Sequence, residues 1–388
     1  MENIKKEQDN SENKNKIDYS LFSSEPEKLI SLSTEQLRNN NYDQSIDILK
    51  NAINLAEKKF GGESNIELVL FYNKYANAFL EKIMLTSHND INISNIKETS
   101  TENSNNPKTN KQKLESQIAF EYLNKANIIL KKYLEKYNGK DPSTLDQETI
   151  KYYLYLSYNY NLLAILEKIN LDFEKATEYY KLSINYTKKY ENKFSRNLAG
   201  LYFELAQILI YDPFNCLLSL YKSKVIMEHY LQNEITKANL NIKLIIDEND
   251  LDLDNISFNS DKIFQNKEII EKNVDLIKEM ENNLDIKEFV DIIKDIYNKI
   301  EIVISEINEY AFYIKNREQK GKGENNNGNG NNDGNRQEKL DLDFELNNNN
   351  FSKNMNKIRV INLKRSEPTN NDDDLIKIEE DYSKEKFI

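Results

Sequence analysis

Hydrophobic positions recur along this chain at three- and four-residue spacing, in windows of about twenty residues separated by short polar breaks. In NNNYDQSIDILKNAINLAEKKFG (39–61), Ser45, Ile46, Leu49, Ala52 and Ile53 follow Tyr42 at helical spacing. Lys58 and Lys59 occupy the last turn and Gly61 follows them. One apolar stripe of period 3.6, closed by basic residues and a glycine, predicts an amphipathic helix with its stop signals. The same rhythm predicts a helix before it, from Glu25, carrying Leu29, Leu32 and Leu37. It predicts another over 65–85, with Leu68, Tyr72, Tyr75, Ala76 and Phe79, and one over 114–137. Two further pairs follow, IKYYLYLSYNYNLLAILEKI with FEKATEYYKLSINYTKKYENK, and LAGLYFELAQILI with CLLSLYKSKVIMEHYLQNEI. A last stretch, about 261–317, repeats Ile and Val at three-or-four spacing, from Ile269 to Ile307.

Polar stretches interrupt this pattern at residues 1–24, 87–113, 319–350 and 351–388, and an acidic run at 247–255. Their composition is too poor in apolar residues to offset chain entropy, so they are expected to be disordered segments, linker and tail. With only 9 Gly and 5 Pro in 388 residues, turns are too few for a sheet-rich fold. The expectation is an all-α chain with one repeat domain over 25–318, including a low-complexity insertion at 87–113 and a capping helix at 261–317.

The helix pairs superpose. NYDQSIDILKNAI (41–53) lies over DFEKATEYYKLSI (172–184), pairing Tyr42 with Phe173, Ser45 with Ala176, Leu49 with Tyr180 and Ala52 with Ser183. Nine residues upstream of each turn aromatic stand Ser33 and Ala164, small residues where two helices approach closely. This alternation of aromatic, small and large positions is that of a tetratricopeptide repeat, a helix–turn–helix that stacks into a solenoid. About four such pairs are expected, closed by the long helix. The fourth fits less well: Phe214 takes the turn position one residue early, and Leu217 and Lys224 replace the small residues.

A stacked array of this kind exposes a concave groove lined by the first helix of each pair. Repeat geometry places Asn73, Asn77 and Glu81 there from the second pair, Tyr158 and Asn161 from the third, and Phe203, Gln207 and Tyr211 from the fourth. Adaptors that clamp a terminal carboxylate need a Lys and an Asn on the first helix, where this chain has Ile30 and Thr34.

Other chemistry is not visible. The chain has no glycine-rich phosphate loop, no HExxH and a single cysteine, Cys216, and its two histidines, His88 and His229, stand apart. Asp250, Asp252, Asp254 and Asp261 resemble part of a calcium loop, but Asn255 stands where the turn glycine belongs and no Glu closes it. A binding protein without catalysis, metal or cofactor is expected. A net charge of −12 favours basic partners over nucleic acid. The charged N-terminus is unlike a secretory signal, and no apolar run approaches a membrane span, so a soluble intracellular protein is expected.

Several segments resemble the histone chaperone family typified by nuclear autoantigenic sperm protein, whose second repeat is interrupted. They are KKFGGESNIELVLFYNKYANAFLE, QIAFEYLNKANIILKKY with Phe120 at the aromatic position, and SRNLAGLYFELAQILIY, together with the long helix that caps the repeats. The resemblance covers roughly 26–315. It departs in the insertion, which is rich in Asn, Ser and Thr instead of acidic residues, and in the tail, where Lys364 and Arg365 stand for a dense basic import cluster. The resemblance implies binding of histone H3 or H3–H4 through the groove and an acidic surface, shielding it before nucleosome assembly. It also implies residence in the nucleus, compatible with a cytoplasmic pool and with a homodimer. An adaptor or scaffold for a non-histone protein is the alternative.

Overall fold

The computed structural model describes residues 19–22, 24–94, 107–247, 253, 260–284 and 286–323. Among them all regular structure is helical: α1 (Glu27–Arg38), α2 (Tyr42–Phe60), α3 (Val69–Ser94), α4 (Pro107–Leu134), α5 (Gln147–Ile169), α6 (Phe173–Tyr190), α7 (Arg196–Ile208), α8 (Pro213–Lys237), α9 (Ser260–Lys278) and α10 (Lys287–Gly323). α1 to α8 pack as four consecutive pairs, and α10 lies against α8. The array is the expected α-solenoid.

The small residues identified in the repeat set the spacing within pairs. Ser33 and Ser45 are buried with their hydroxyls 2.9 Å apart. In the third pair Ser157 Oγ lies 2.8 Å from the carbonyl oxygen of Ser183, and Ser183 Oγ lies 2.9 Å from that of Ser157. Thr187 Oγ1 is 2.7 Å from the Ser157 hydroxyl. Each hydroxyl satisfies itself on the facing helix, so helices can approach closely without orphaned polar groups. Ala164 and Ala176, fully buried, hold the equivalent small positions further along the same pair.

The fourth pair obeys the rule after all, one residue earlier than its turn aromatic suggested. α6 and α8 are both capped by an aspartate, Asp172 and Asp212, whose carboxylates accept from backbone N–H three residues on. Aligned on these caps, Cys216 and Ser223 stand over Ala176 and Ser183. Both are buried, and Ser223 Oγ donates to the Ala199 carbonyl at 2.8 Å. Leu217 and Lys224 therefore point elsewhere.

Lys224 points into the contact with α9 and α10. Its side chain and that of Glu228 are fully buried and paired at 3.1 Å. Glu228 Oε1 also accepts from the Tyr297 hydroxyl at 2.6 Å and from Asn273 Nδ2 at 3.1 Å. Asn273 in turn exchanges hydrogen bonds with the backbone of Ile245, at 2.8 and 2.9 Å. One ion pair on α8 thus organises α9, α10 and the extended chain before them.

Four expectations need correction. The capping element is two helices, because the stripe is broken at 279–286, where the Asn282–Asn283 pair forms turns instead of continuing the helix. The insertion is shorter than 87–113: α3 continues to Ser94 and α4 begins at Pro107. A helix held by packed turns propagates until a breaker, and proline is tolerated in its first turn. Residues 95–106 lie outside the described residues. At the N-terminus, Tyr19–Phe22 form a 3₁₀ turn that packs on the first core cluster, with the Tyr19 hydroxyl donating to Asp47 at 2.8 Å. Residues 1–18 and the tail after Gly323 lie outside the described residues, as does most of the acidic run. Finally, Phe120, at the aromatic position that the resemblance gives it, is 43% exposed.

Removing one partner of a buried pair leaves an uncompensated charge. Glu228→Ala should therefore lower stability by roughly 3–5 kcal/mol, read as a fall in the urea midpoint. The neutral double variant Lys224→Met/Glu228→Gln, which keeps an acceptor for Tyr297, should lose much less. Equal losses would mean the pair's charge is irrelevant to the cap.

Candidate functional site

Two cavities open beside the first helices of the pairs, α1, α3, α5 and α7, where repeat geometry puts the groove. The smaller, about 200 Å³, lies between α1 and α3 and is lined by Ser33, Thr34, Leu37, Arg38, Lys74, Asn77 and Glu81. Asn77 Nδ2 donates to Glu81 Oε1 at 2.6 Å, and the Lys74 ammonium sits 5.5 Å from the Tyr158 ring. Burial, and then the charge of Glu81, pushes the Tyr158 hydroxyl well above its ordinary pKa. Asn77 and Glu81 therefore share one polar corner with Arg38 and Lys74, and Tyr158 adjoins it through Lys74.

Asn73 does not belong there. It is 1% exposed, and its Oδ1 accepts from Asn159 at 2.8 Å. Asn159 also donates to the Leu123 carbonyl and accepts from Asn127 at 2.8 Å. These asparagines tie α3, α4 and α5 together inside the core. The face counted from the repeat turns inward at this point because α3 contacts four helices, α1, α2, α4 and α5.

The larger cavity, about 1580 Å³, is lined by α5, the turn after it, the segment between α6 and α7, α7 and the end of α8, with Met84 of α3 and Gln112 of α4. Its apolar surface comes from Ile165, Ile169, Leu171, Phe173, Phe194, Phe203 and Tyr230. Asn161 lines it with a buried Oδ1 that has no hydrogen-bond partner among the described residues. Gln207 stands at its edge, 3.2 Å from Lys168 Nζ through its Oε1. Tyr211 is not part of it: α7 ends at Ile208, so this residue lies in the turn before Pro213, 44% exposed.

Charges around the large cavity are already matched. Lys168 pairs with Glu204 at 3.0 Å, Lys237 with Glu234 at 2.6 Å, and Arg196 with Glu288. Asn197 Nδ2 donates to Glu191 at 3.1 Å. The floor offers apolar area and one unsatisfied acceptor, not net charge.

One lining residue escaped the sequence reading. α1, α5 and α8 each end in the same closure, with two backbone bonds back to the last turn: Asn41 N to Gln36 O, Asp172 N to Glu167 O and Leu240 N to Ile235 O close the wider ring. The residue inside that ring must be left-handed. In two cases it is asparagine, Asn40 (φ 59°) and Asn239 (φ 54°), and in the third it is Leu171 (φ 62°). A leucine there carries about 1 kcal/mol of avoidable strain. It is also 73% exposed and lines the large cavity. Strain kept at an exposed apolar residue makes it a candidate contact residue. The signal was in the sequence, in the comparison of NNNY with NLDF, but only as the odd member of a set.

Among the described residues, no group of three or more His, Cys, Asp or Glu is placed to hold a metal ion, and no helix is long and apolar enough to cross a membrane. Asp250, Asp252 and Asp254 lie outside the described residues.

The wall at Phe194 generates a pH prediction. The His229 imidazole stacks on Phe194 at 4.1 Å, its Nε2 buried without a partner among the described residues. Burial pushes its pKa below 6.5, opposed by Glu228 and reinforced by Lys193 and Lys224. The unfolded chain then binds a proton that the folded one refuses, so stability falls as pH drops below about 6.5. His229→Phe should remove that loss between about pH 6.5 and 5, measured by urea unfolding against the parent protein. Parallel pH profiles would place the acid sensitivity elsewhere.

Compared with models of known protein families and with characterised proteins, the chain matches none.

Proposed function

We propose that this protein is a histone chaperone that binds H3 or H3–H4 on its concave side, shields it before nucleosome assembly and acts in the nucleus. The observation that carries the reading is the interrupted second pair. The helices of the other pairs are joined by turns of three or four residues, 39–41, 170–172 and 209–212, whereas α3 and α4 are joined by residues 95–106. This supports the resemblance to the interrupted-repeat chaperones, as does the helical cap on the last pair. A net charge of −12 supports a strongly basic partner.

The two cavities suggest a division of labour. The polar corner, where Asn77 and Glu81 stand beside Arg38 and Lys74, receives a polar side chain of the partner, with Glu81 as its anionic acceptor. The large cavity, neutral and apolar, receives a hydrophobic anchor of the same partner, with Leu171 and Phe203 against it and Asn161 Oδ1 accepting one hydrogen bond. Charge then contributes the rate of encounter and shape contributes retention. The paired ions of the large cavity also favour a second reading, an adaptor for an apolar, non-histone segment.

The test is a binding assay with purified core histones at moderate and high salt. H3–H4 should bind in preference to the other core-histone dimer, and a fraction should persist when the Debye length is cut to roughly 3 Å in 1 M salt. Asn77→Ala/Glu81→Lys should weaken binding with unchanged circular dichroism. Leu171→Asn should raise stability by about 1 kcal/mol through relief of its left-handed strain and yet weaken binding. Equal binding of all core histones that vanishes at moderate salt would reduce the protein to an acidic surface. Failure of every histone, with the fold intact, would favour the adaptor.

A further inference from the structure

Among the lysines that form no salt bridge within the described residues, five share one region of the array. Lys131, Lys136, Lys140, Lys151 and Lys189 are all exposed, and none forms a salt bridge among the described residues. Each instead stands over a tyrosine ring. Lys136 Nζ is 4.2 Å from the centre of Tyr133 and 4.9 Å from that of Tyr137, and Lys140 is 5.0 Å from Tyr137. Lys151 lies 5.4 Å from Tyr152 and Tyr155, Lys189 5.4 Å from Tyr190, and Lys131 5.5 Å from Tyr160.

The rings fall into two sets that meet at the adjacent, buried Tyr152 and Tyr153 of α5. Tyr133 meets Tyr152 edge-on at 4.9 Å, and the neighbouring Tyr153 stacks on Tyr190 at 4.1 Å with planes 7° apart. The end of α4, the start of α5 and the end of α6 therefore share one patch, and none of these residues lines the concave cavities. Carboxylates border it as well: Glu67 accepts from the Tyr152 hydroxyl at 2.8 Å, Glu148 acts on Tyr133 and Tyr152, and Lys189 acts on Asp141. Asp141 accepts from the Ser143 amide and Asp146 from the Thr149 amide. The lysines at the ends of α4 and α6 also complement the helix dipoles, which explains some positive charge there. It does not explain Lys151, in the first turns of α5, where a cation is unfavourable. Ammonium groups held over aromatic faces are ordered donors with a partly apolar floor beneath them.

A ligand for such a surface carries several carboxylates interspersed with apolar side chains. The chain contains one. In residues 372–381, DDDLIKIEED, six carboxylates stand against a single lysine, with Leu375, Ile376 and Ile378 between them. We infer that this acidic stretch of the protein's own C-terminal region docks on the lysine–tyrosine patch. Its carboxylates pair with the ammonium groups, and its aliphatic side chains lie on the ring edges. Charge complementarity selects the segment, and the tether supplies it. Asp372 stands forty-nine positions after Gly323. A Gly- and Asn-rich chain of that length has a root-mean-square span of about 35–40 Å, comparable with the size of the array. Tethering over such a distance corresponds to a local concentration approaching the millimolar range, so weak individual pairs suffice. The segment's carboxylates are thereby kept apart from the concave side, whatever partner that side takes. The inference does not rest on the histone reading.

The chain has no tryptophan, so Tyr382→Trp in the full-length protein gives a single reporter beside the acidic stretch. Its fluorescence anisotropy should be high in 0.1 M salt and fall in 1 M salt, as the Debye length shrinks from about 10 to about 3 Å. Lys136→Glu/Lys140→Glu/Lys189→Glu should give the low value at both salts, with helicity checked by circular dichroism. Should that variant unfold, neutralising the stretch instead, Asp to Asn at 372–374 and Glu to Gln at 379 and 380, leaves the array untouched and should free the reporter equally. Low anisotropy of the parent reporter at 0.1 M salt would overturn the proposal. So would an anisotropy that rises with protein concentration, which would place the stretch on a second copy. Tight binding of a single-stranded DNA oligonucleotide to the patch, undiminished by the intact acidic stretch, would make the patch a nucleic-acid site and overturn it as well.

Discussion

Everything in this array depends on how closely two helices of a pair can approach. Ser33 with Ser45, Ser157 with Ser183, and Ala199 with Ser223 bring backbones together where larger side chains would hold them apart. The hydroxyls matter as much as the size, because each returns a hydrogen bond to the facing helix and is itself left paired. Large residues, Leu49 and Tyr180 among them, then fill the space between pairs and are fully buried.

A solenoid has ends, and the last apolar face must be covered. Here the cover is organised by a buried charge. Lys224 and Glu228 are both fully buried, and Glu228 collects Tyr297 and Asn273 from the covering helices. A pair of this kind contributes little net stability, since desolvation offsets most of its attraction. Its effect is on register: α9 and α10 have many apolar ways to lie on α8 and few that satisfy these polar partners at once. The break between α9 and α10 lets one apolar stripe reach the same end twice.

Function divides along the same geometry. Beside the first helices lie a polar corner of mixed charge and a larger, mostly apolar cavity with matched ions. Exposed lysines over tyrosine rings gather on a separate patch that lines neither cavity. Leu171, strained and exposed, sits where the turn between α5 and α6 meets the cavity.

The sequence by itself determined the helices, the pairing and the repeat register, because a period of 3.6 and recurrent small residues are local properties read directly along a chain. It determined Asn77, Glu81 and Tyr158 as neighbours on one face, and Phe203 as part of the groove wall. Only tertiary structure decided the rest. Asn73 has helical spacing to Asn77, but α3 is enclosed on that side, and its amide went into the core. Tyr211 lost its place because α7 stops three residues before it, a boundary set by the turn that Asp212 caps. Lys224, which looked like a fault in the repeat, is the anchor of the cap: Asn266 reaches it, and Asn273 and Tyr297 reach its partner Glu228, each from more than forty residues away. Spacing within one helix carries no information about which distant element will lie against it, and that is where the charge of Lys224 found its use.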